Sequence, residues 1–447
     1  MTEQAHNLTE PQAAAELPAY WMPFTANRAF ARDPLMVERA EGNYLITPEG
    51  QRVFDASAGL WCTGAGHNRP EIRDAVAAQL GTLDYAPAFQ FGHPLAFRLA
   101  ERLRSLAPDP LDYAFFCNSG SEAADTAIKM ARAYWRMHGR ASKTKVIGRA
   151  RGYHGMNVGG TSVGGINANR KHYGALMDTD HLPHTLLPEA AFSRGQPETG
   201  AHLADELLRL IDLHDASNIA AVMVEPFAGS TGVLVPPVGY LERLREICSA
   251  HDILLIFDEV ITGFGRVGEM FAAERFGVVP DLMTLAKQIT NGALPLGAVM
   301  ASREIHTAFM AQDLPEHAIE FPHGYTYSGH PVACAAAMAS LDIIENDGLV
   351  ARGRELAPVL EAQLHARRGA PHVTDIRNLG LAGAIQLAPR DGDATIRPRE
   401  AALDLWHRGF YVRFGGDTLQ FTPPYTSTRE ELEALGEAVG QALARLR

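Results

Sequence analysis

Cysteine is scarce in this chain. Four residues of 447, Cys62, Cys117, Cys248 and Cys334, are spread along it and form no CxxC pair. A zinc ribbon and a thioredoxin-type motif are thereby excluded. Sparse, unpaired cysteine suits a reducing cytosol, and a cytoplasmic location is expected. Long apolar runs are also missing. The longest, residues 219–224 and 253–257, fall far short of the ~20 residues of a membrane span. Residues 1–16 are polar with no apolar h-region, so no signal peptide is expected, and the Asn7-Leu8-Thr9 triplet carries no weight. Positive charge is in deficit: 40 Lys and Arg stand against 52 Asp and Glu, a net charge of −12. Nucleic acid is an unsuitable partner for such a surface. No internal repeat and no low-complexity block occurs. Hydrophobic residues make up 46 % and charged residues 21 %, the balance of a globular chain, and the length suggests domains of about 100–200 residues each.

The first thirty or so residues hold Pro11, Pro18 and Pro23 and read as an extended arm that packs late. Trp21-Met22-Pro23-Phe24 within it is too aromatic for a free tail and reads as a hydrophobic plug on the core. Residues 43–47 and 52–55, joined by Pro48-Glu49-Gly50, carry a hairpin signal. From about residue 70 helical spacing (71–80, 95–106, 121–137) alternates with short apolar runs (113–117, 145–148, 219–224, 253–257, 282–285). That alternation predicts an α/β architecture around a doubly wound, mostly parallel sheet buried on both faces. The Gly- and His-rich stretch 151–171 reads as loop around a site. A helix over 331–345 and a smaller α+β segment complete the chain. The expected division is 1–70 (arm and part of a small domain), 71–325 (large domain) and 326–447 (small domain).

Four clusters carry chemistry. The apolar run 253–257 leads into Asp258-Glu259, and in parallel sheets ligands sit at the carboxyl ends of strands. A lone Asp there is as readily a solvated turn acid. Lys287 closes the run 282–285. Lysine is seldom buried unpaired, so it either snorkels to solvent or is an amine activated by desolvation. Together, 29 positions apart, the pair matches what one pyridoxal phosphate ring needs: an amine for its carbonyl and an acid for its nitrogen. Asn118-Ser119-Gly120-Ser121-Glu122 joins a strand to a helix, which makes either an ordinary Ser cap or an anion site built on the helix dipole. Arg151-Gly152-Tyr153-His154-Gly155 either turns the chain or presents an aromatic ring for stacking. His181 and His184 form an HxxH pair, but two histidines supply only part of a zinc shell, and no metal is expected.

In combination the chain resembles the class III aminotransferases of the fold type I group of pyridoxal-phosphate enzymes. The motifs stand in that family's order: Ser119-Gly120-Ser121-Glu122-Ala123, Tyr153-His154-Gly155, Glu225-Pro226, Phe257-Asp258-Glu259-Val260, Leu285-Ala286-Lys287 and Thr326-Tyr327-Ser328-Gly329-His330-Pro331. Within the family it looks most like the ω-amino acid–pyruvate (β-alanine–pyruvate) group, on the segments 21–28, 59–62 and 411–420. The resemblance implies that Lys287 holds the cofactor and moves a proton, and that Asp258 keeps the ring nitrogen protonated. It implies that Ser119, Gly120 and Ser121 bind the phosphate, and that Tyr153 and Val260 flank the ring. Thr326 would reach the phosphate of a neighbouring subunit, so that a homodimer, possibly a tetramer, shares its sites. Arg413 would pair with the substrate carboxylate, Trp61 and Phe24 would line the pocket, and Gln420 would sit near it. Glu225 would be a polar partner of the cofactor or of Arg413. The implied reaction moves an amino group from an ω-amino acid such as β-alanine, or a related primary amine, to pyruvate, giving alanine and an aldehyde or ketone. Diamine or 4-aminobutyrate donors, an aminomutase and a cofactor-binding regulator are the competing readings.

Overall fold

The computed structural model describes residues 19–174 and 176–447. The expected arm over residues 1–18, with Pro11 and Pro18, lies outside the described residues.

The centre is a seven-stranded sheet in the order Tyr113–Cys117, Gly297–Ala301, Leu282–Leu285, Leu254–Asp258, Ile219–Val224, Lys145–Arg149, Thr179–Leu182. Neighbours from Leu282–Leu285 through Thr179–Leu182 pair in parallel. Gly297–Ala301 alone runs antiparallel to both of its neighbours. Helices cover both faces, and the inner strands are therefore buried along their whole length. This is the environment that selects continuous Val, Ile and Leu rather than alternation. The helix Gly120–Met137 packs through Ala123, Ala124, Ala127 and Ala131, small residues that let it lie close to the sheet.

Gly297–Ala301 and Thr179–Leu182 were not foreseen. The first hides in a run interrupted by Pro and Gly. Its Gly297 is required by contact, since a Cβ there would stand 2.5 Å from the Ser119 carbonyl. The stretch 151–171 is not simply loop: it contains the helices Val158–Val163 and Asn167–Tyr173. Gly159 and Gly160 argue against helix on propensity, but here close approach outweighs it. A Cβ on Gly160 would lie 2.1 Å from the His154 carbonyl, and Asp125 Oδ1 accepts the Gly160 N–H at 3.0 Å.

Two smaller sheets lie beside the large one. Val373–Asn378, Gly383–Leu387, Thr418–Phe421 and Arg413–Gly415 form an antiparallel sheet. The hairpin of Tyr44–Ile46 and Arg52–Asp55 is present, extended on one side by Arg39–Glu41 and on the other by Phe410–Tyr411. The last pairing is parallel, Phe410 opposite Phe54 and Tyr411 opposite Asp55, so the early and late parts of the chain share one sheet. The Trp21–Phe24 segment is not a plug on the core. Within one chain Trp21 is 88 % and Phe24 79 % exposed. Its turn is held locally, by Asn27 accepting from the Met22 N–H and donating to the Met22 carbonyl, each at 3.0 Å.

Candidate active site

Three adjacent strands end at one place. Glu225 follows Ile219–Val224, Asp258 is the last residue of Leu254–Asp258, and Lys287 lies just beyond Leu282–Leu285. Because these strands are parallel neighbours, the three side chains come together at their carboxyl ends. They share a cleft of about 130 Å³ with Gly120, Ser121, Tyr153 and Val260. The local folding of each piece is specified by its own chemistry. Ser119 Oγ accepts the Glu122 N–H at 3.1 Å, and Glu122 returns a bond to the Asn118 N–H at 2.7 Å, fixing where the helix starts. The N–H groups of Gly120 and Ser121, at the first turn, have no intrahelical acceptor and none elsewhere among the described residues. A Cβ on Gly155 would come within 2.3 Å of Ser121 Oγ, so the Tyr153 loop closes on the helix start only with glycine there.

Asp258 is buried and held from three directions. Its Oδ2 lies 2.8 Å from His154 Nδ1, and its Oδ1 accepts from Thr284 Oγ and from the Val260 N–H, each at 3.1 Å. His154 is itself buried, and its Nε2 has no partner among the described residues. Burial pushes the Lys287 amine below its ordinary range. Arg413 acts in the same direction, while Cys62, Asp258 and Glu225 oppose it. No acceptor for the Lys287 amine occurs among the described residues. Glu225 accepts from the Tyr153 N–H at 2.9 Å and from the Gly229 N–H at 3.2 Å, and burial raises its carboxyl. It therefore holds the backbone of Tyr153; Arg149 Nη2 donates to its main-chain carbonyl at 2.8 Å, and no arginine pairs with its carboxylate among the described residues.

Arg413 enters from the antiparallel sheet, opposite Gln420 in register. Its N–H donates to Ser57 Oγ at 2.9 Å. Its guanidinium is largely removed from water, which lowers it from its ordinary value, and its charge is felt at Tyr153 and Lys287. No carboxylate pairs with it among the described residues. Gln420 is buried, donates to the Ser230 carbonyl at 3.0 Å, and leaves its Oε1 without a donor among the described residues.

Trp61 is fully buried, its ring 6.0 Å from that of Phe227, with its indole N–H unpartnered among the described residues. Phe24 and Thr326 do not reach the cleft within one chain. Phe24 is solvent-facing, and Thr326 is exposed, its carbonyl accepting from Tyr85 Oη at 3.1 Å. His181 and His184 act separately: His181 Nε2 lies 3.0 Å from the Gly164 carbonyl, and His184 Nδ1 is buried without a partner among the described residues. Sequence reasoning gave no role to His154, although it stands inside a quoted motif, or to Thr284, a lone hydroxyl in an apolar strand. Glu259 was also passed over. It is fully buried and accepts from Thr262 Oγ at 2.8 Å and from the Ala272 and Ala273 N–H groups at 2.7 and 2.8 Å.

The donor set fits a phosphorylated heteroaromatic aldehyde. Free N–H groups at a helix start suit its phosphate, a buried carboxylate suits a protonated ring nitrogen, and an amine of lowered pKa suits its carbonyl.

The model of the family described as aminotransferase class III matches residues 26–443. The chain is 63 % identical over 442 residues to a β-alanine–pyruvate aminotransferase of Pseudomonas aeruginosa, covering 98 % of this chain and 99 % of that protein. It is 62 % identical over 433 residues to an ω-amino acid–pyruvate aminotransferase of Pseudomonas putida, covering 96 % of each. Among solved structures, an amine transaminase from an uncultivated Pseudomonas species in its PLP-bound form superposes with a TM-score of 0.89. That match has 37 % identity and covers 96 % of this chain and 99 % of the other. This chain belongs to the class III aminotransferases, enzymes that work with pyridoxal 5′-phosphate.

Proposed function

We propose that the protein transfers the amino group of an ω-amino acid such as β-alanine, or of a related primary amine, to pyruvate. The products are alanine and an oxo acid, aldehyde or ketone. The observation that carries this reading is Arg413, an arginine without an acidic partner among the described residues, withdrawn from water beside the cleft that holds Lys287 and Asp258. A guanidinium so placed is a receptor for a carboxylate. The names of the Pseudomonas relatives agree with it.

Bound pyridoxal phosphate supplies an electron sink that acidifies the Cα proton of an attached amine. The residues of this chain do the rest. Lys287 Nζ, its pKa lowered by burial, takes a proton from the donor carbon and returns it. Asp258, oriented by His154, Thr284 and the Val260 N–H, keeps a negative charge against the ring nitrogen. Ser119, Gly120 and Ser121 hold the phosphate. Tyr153 and Val260 flank the ring, and Glu225 keeps Tyr153 in place through its N–H. Arg413 orients pyruvate by its carboxylate, with Gln420 and Trp61 bounding that side.

The same reading includes a homodimer. Phe89, Phe91, Phe97 and Tyr327 are exposed around an apolar surface beside Thr326, and monomers rarely leave such a surface uncovered. A second copy covering it would bring Thr326 towards a neighbouring site. The reading keeps the division 1–70, 71–325 and 326–447, with the first and last parts joined through strands Arg52–Asp55 and Phe410–Tyr411. Three of the four thiols are buried and none is bonded, which suits a cytoplasmic location.

The test supplies purified enzyme with the cofactor, pyruvate, and in turn β-alanine, 4-aminobutyrate, 1-phenylethylamine and a diamine. Alanine should form, fastest with an ω-amino acid or an arylamine. Absence of alanine with every donor, or isomerisation of one amine without pyruvate, overturns the proposal. Light scattering should give the mass of two or four chains.

A further inference from the structure

Behind Lys287 lies a polar cluster to which the reaction above gives no role. Lys287 and Asn291 both have positive φ, 53° and 51°. Asparagine tolerates that region, but lysine occupies it only where its surroundings enforce it. The enforcing contacts come from the two side chains Gln288 and Asn291, both buried. Gln288 Oε1 accepts the Gly64 N–H at 2.7 Å, and Asn291 Oδ1 accepts the Ala65 N–H at 2.9 Å. Asn291 Nδ2 donates to the Gly66 carbonyl at 2.7 Å, and Gln288 Nε2 donates to Asn291 Oδ1 at 3.3 Å. Three consecutive residues are thus gripped by one linked pair. The fit is close: a Cβ on Gly64 would stand 2.5 Å from Gln288 Oε1.

The gripped backbone continues directly to the substrate side of the site. A few residues earlier, Ala58, Gly59 and Trp61 also have positive φ, 43°, 65° and 67°. Before them, Ser57 accepts the Arg413 N–H on Oγ at 2.9 Å and the Thr422 hydroxyl on its carbonyl at 3.0 Å. One segment, residues 57–66, therefore touches the strand of Arg413 at one end and the turn of Lys287 at the other.

We propose that Gln288 and Asn291 are positioning residues, which hold the left-handed turn of Lys287 on residues 64–66 and so register its amine against Arg413. The proposal rests on the role given to Lys287 above. Neither side chain touches the reacting atoms. Their effect is on where the amine stands, and displacements of about 1 Å in a reacting group cost on the order of 10²-fold in rate.

The experiment compares Gln288→Met, which removes both bonds of that side chain, with Gln288→Glu, which keeps the acceptor for Gly64. Apo-protein is mixed with pyridoxal phosphate, and the rate of covalent capture is followed by absorbance. Borohydride reduction and peptide mass mapping then locate the attachment. Melting of each apo-protein is recorded, and so is the deuterium isotope effect with an α-deuterated amine. Q288M should slow capture by roughly 10- to 100-fold and enlarge the isotope effect, with Q288E between it and wild type. A purely structural role would lower the melting midpoint and leave the isotope effect unchanged. Capture by Q288M at the wild-type rate with an unchanged isotope effect overturns the proposal. Should Q288M not accumulate as folded protein, Q288E and Asn291→Ser carry the same expectation and the same refutation. Attachment of wild-type protein at a residue other than Lys287 overturns the reading of Lys287 itself.

Discussion

Replacing Arg413 by methionine should separate recognition from chemistry and raise stability while doing so. The guanidinium is withdrawn from water with no acidic partner among the described residues, so the apo-protein bears a desolvation cost that only a bound carboxylate relieves. Two charge-assisted hydrogen bonds to that carboxylate contribute about 1.5–3 kcal/mol each. Their loss, taken as less than additive, lowers kcat/KM for pyruvate by about 10²-fold or more. A neutral arylamine makes neither bond, so its half-reaction should hold near the wild-type rate. Methionine fills much of the arginine stem's volume without the charge, and relief of the unpaired cation should stabilise the apo-protein by about 1 kcal/mol. For a chain of this size that is a rise of about 1–2 °C in melting midpoint. The two half-reactions are measured separately by single-turnover absorbance, and the apo-proteins by calorimetry. Equal losses with pyruvate and with the arylamine, or a lower melting midpoint, would refute the reasoning.

Glu259 sets a pH dependence. Burial pushes its carboxyl up from 4.5 to about 7, against the three hydrogen bonds it accepts. Between those values the folded protein retains a proton that the unfolded chain has lost. Stability from this group is therefore complete below pH 4.5 and declines by about 3 kcal/mol as the pH rises to about 7. Urea unfolding at pH 5 and pH 7.5 should show this slope in wild type and a flatter one in Glu259→Gln; identical slopes would discount Glu259. His154→Phe leaves Asp258 Oδ2 without its partner at 2.8 Å, and cofactor retention should weaken by about 10-fold or more, the equivalent of one charge-assisted hydrogen bond. Titration of apo-protein with pyridoxal phosphate measures this, and unchanged affinity would mean that His154 serves packing alone.

The parts of the site that local chemistry announces were legible in the sequence. Asp258 follows an unbroken apolar run and Lys287 one broken only by Thr284, and such runs become inner strands of the parallel sheet with little competition from other structures. The Ser119–Glu122 turn was legible for the same reason, since its capping bonds are made within a few residues. What failed to show was set by distant contacts. Gly159 and Gly160 looked like loop because the close approach that keeps them helical involves His154 and Asp125. Gly297–Ala301 was hidden because its direction is fixed by neighbours on both sides. Gln288 and Asn291 resemble ordinary polar residues after a lysine, and their partners lie more than 220 positions away. The aromatic arm was misplaced because burial preference favours cover for Trp21 and Phe24, whereas its turn is held locally by Asn27 and leaves both rings exposed within one chain.

The short parallel pairing of Phe410–Tyr411 with Arg52–Asp55 divides labour along the gene. Asp258 and Lys287 are encoded in the middle third of the open reading frame, whereas Trp61 and Arg413, to which the proposed reading gives the substrate side, come from stretches near its two ends, stitched side by side. Donor preference can therefore drift by changes in two peripheral cassettes without disturbing the proton machinery. Conversely, a graft that exchanges only one cassette with a relative should misfit at this seam, so libraries aimed at new amines should vary both together.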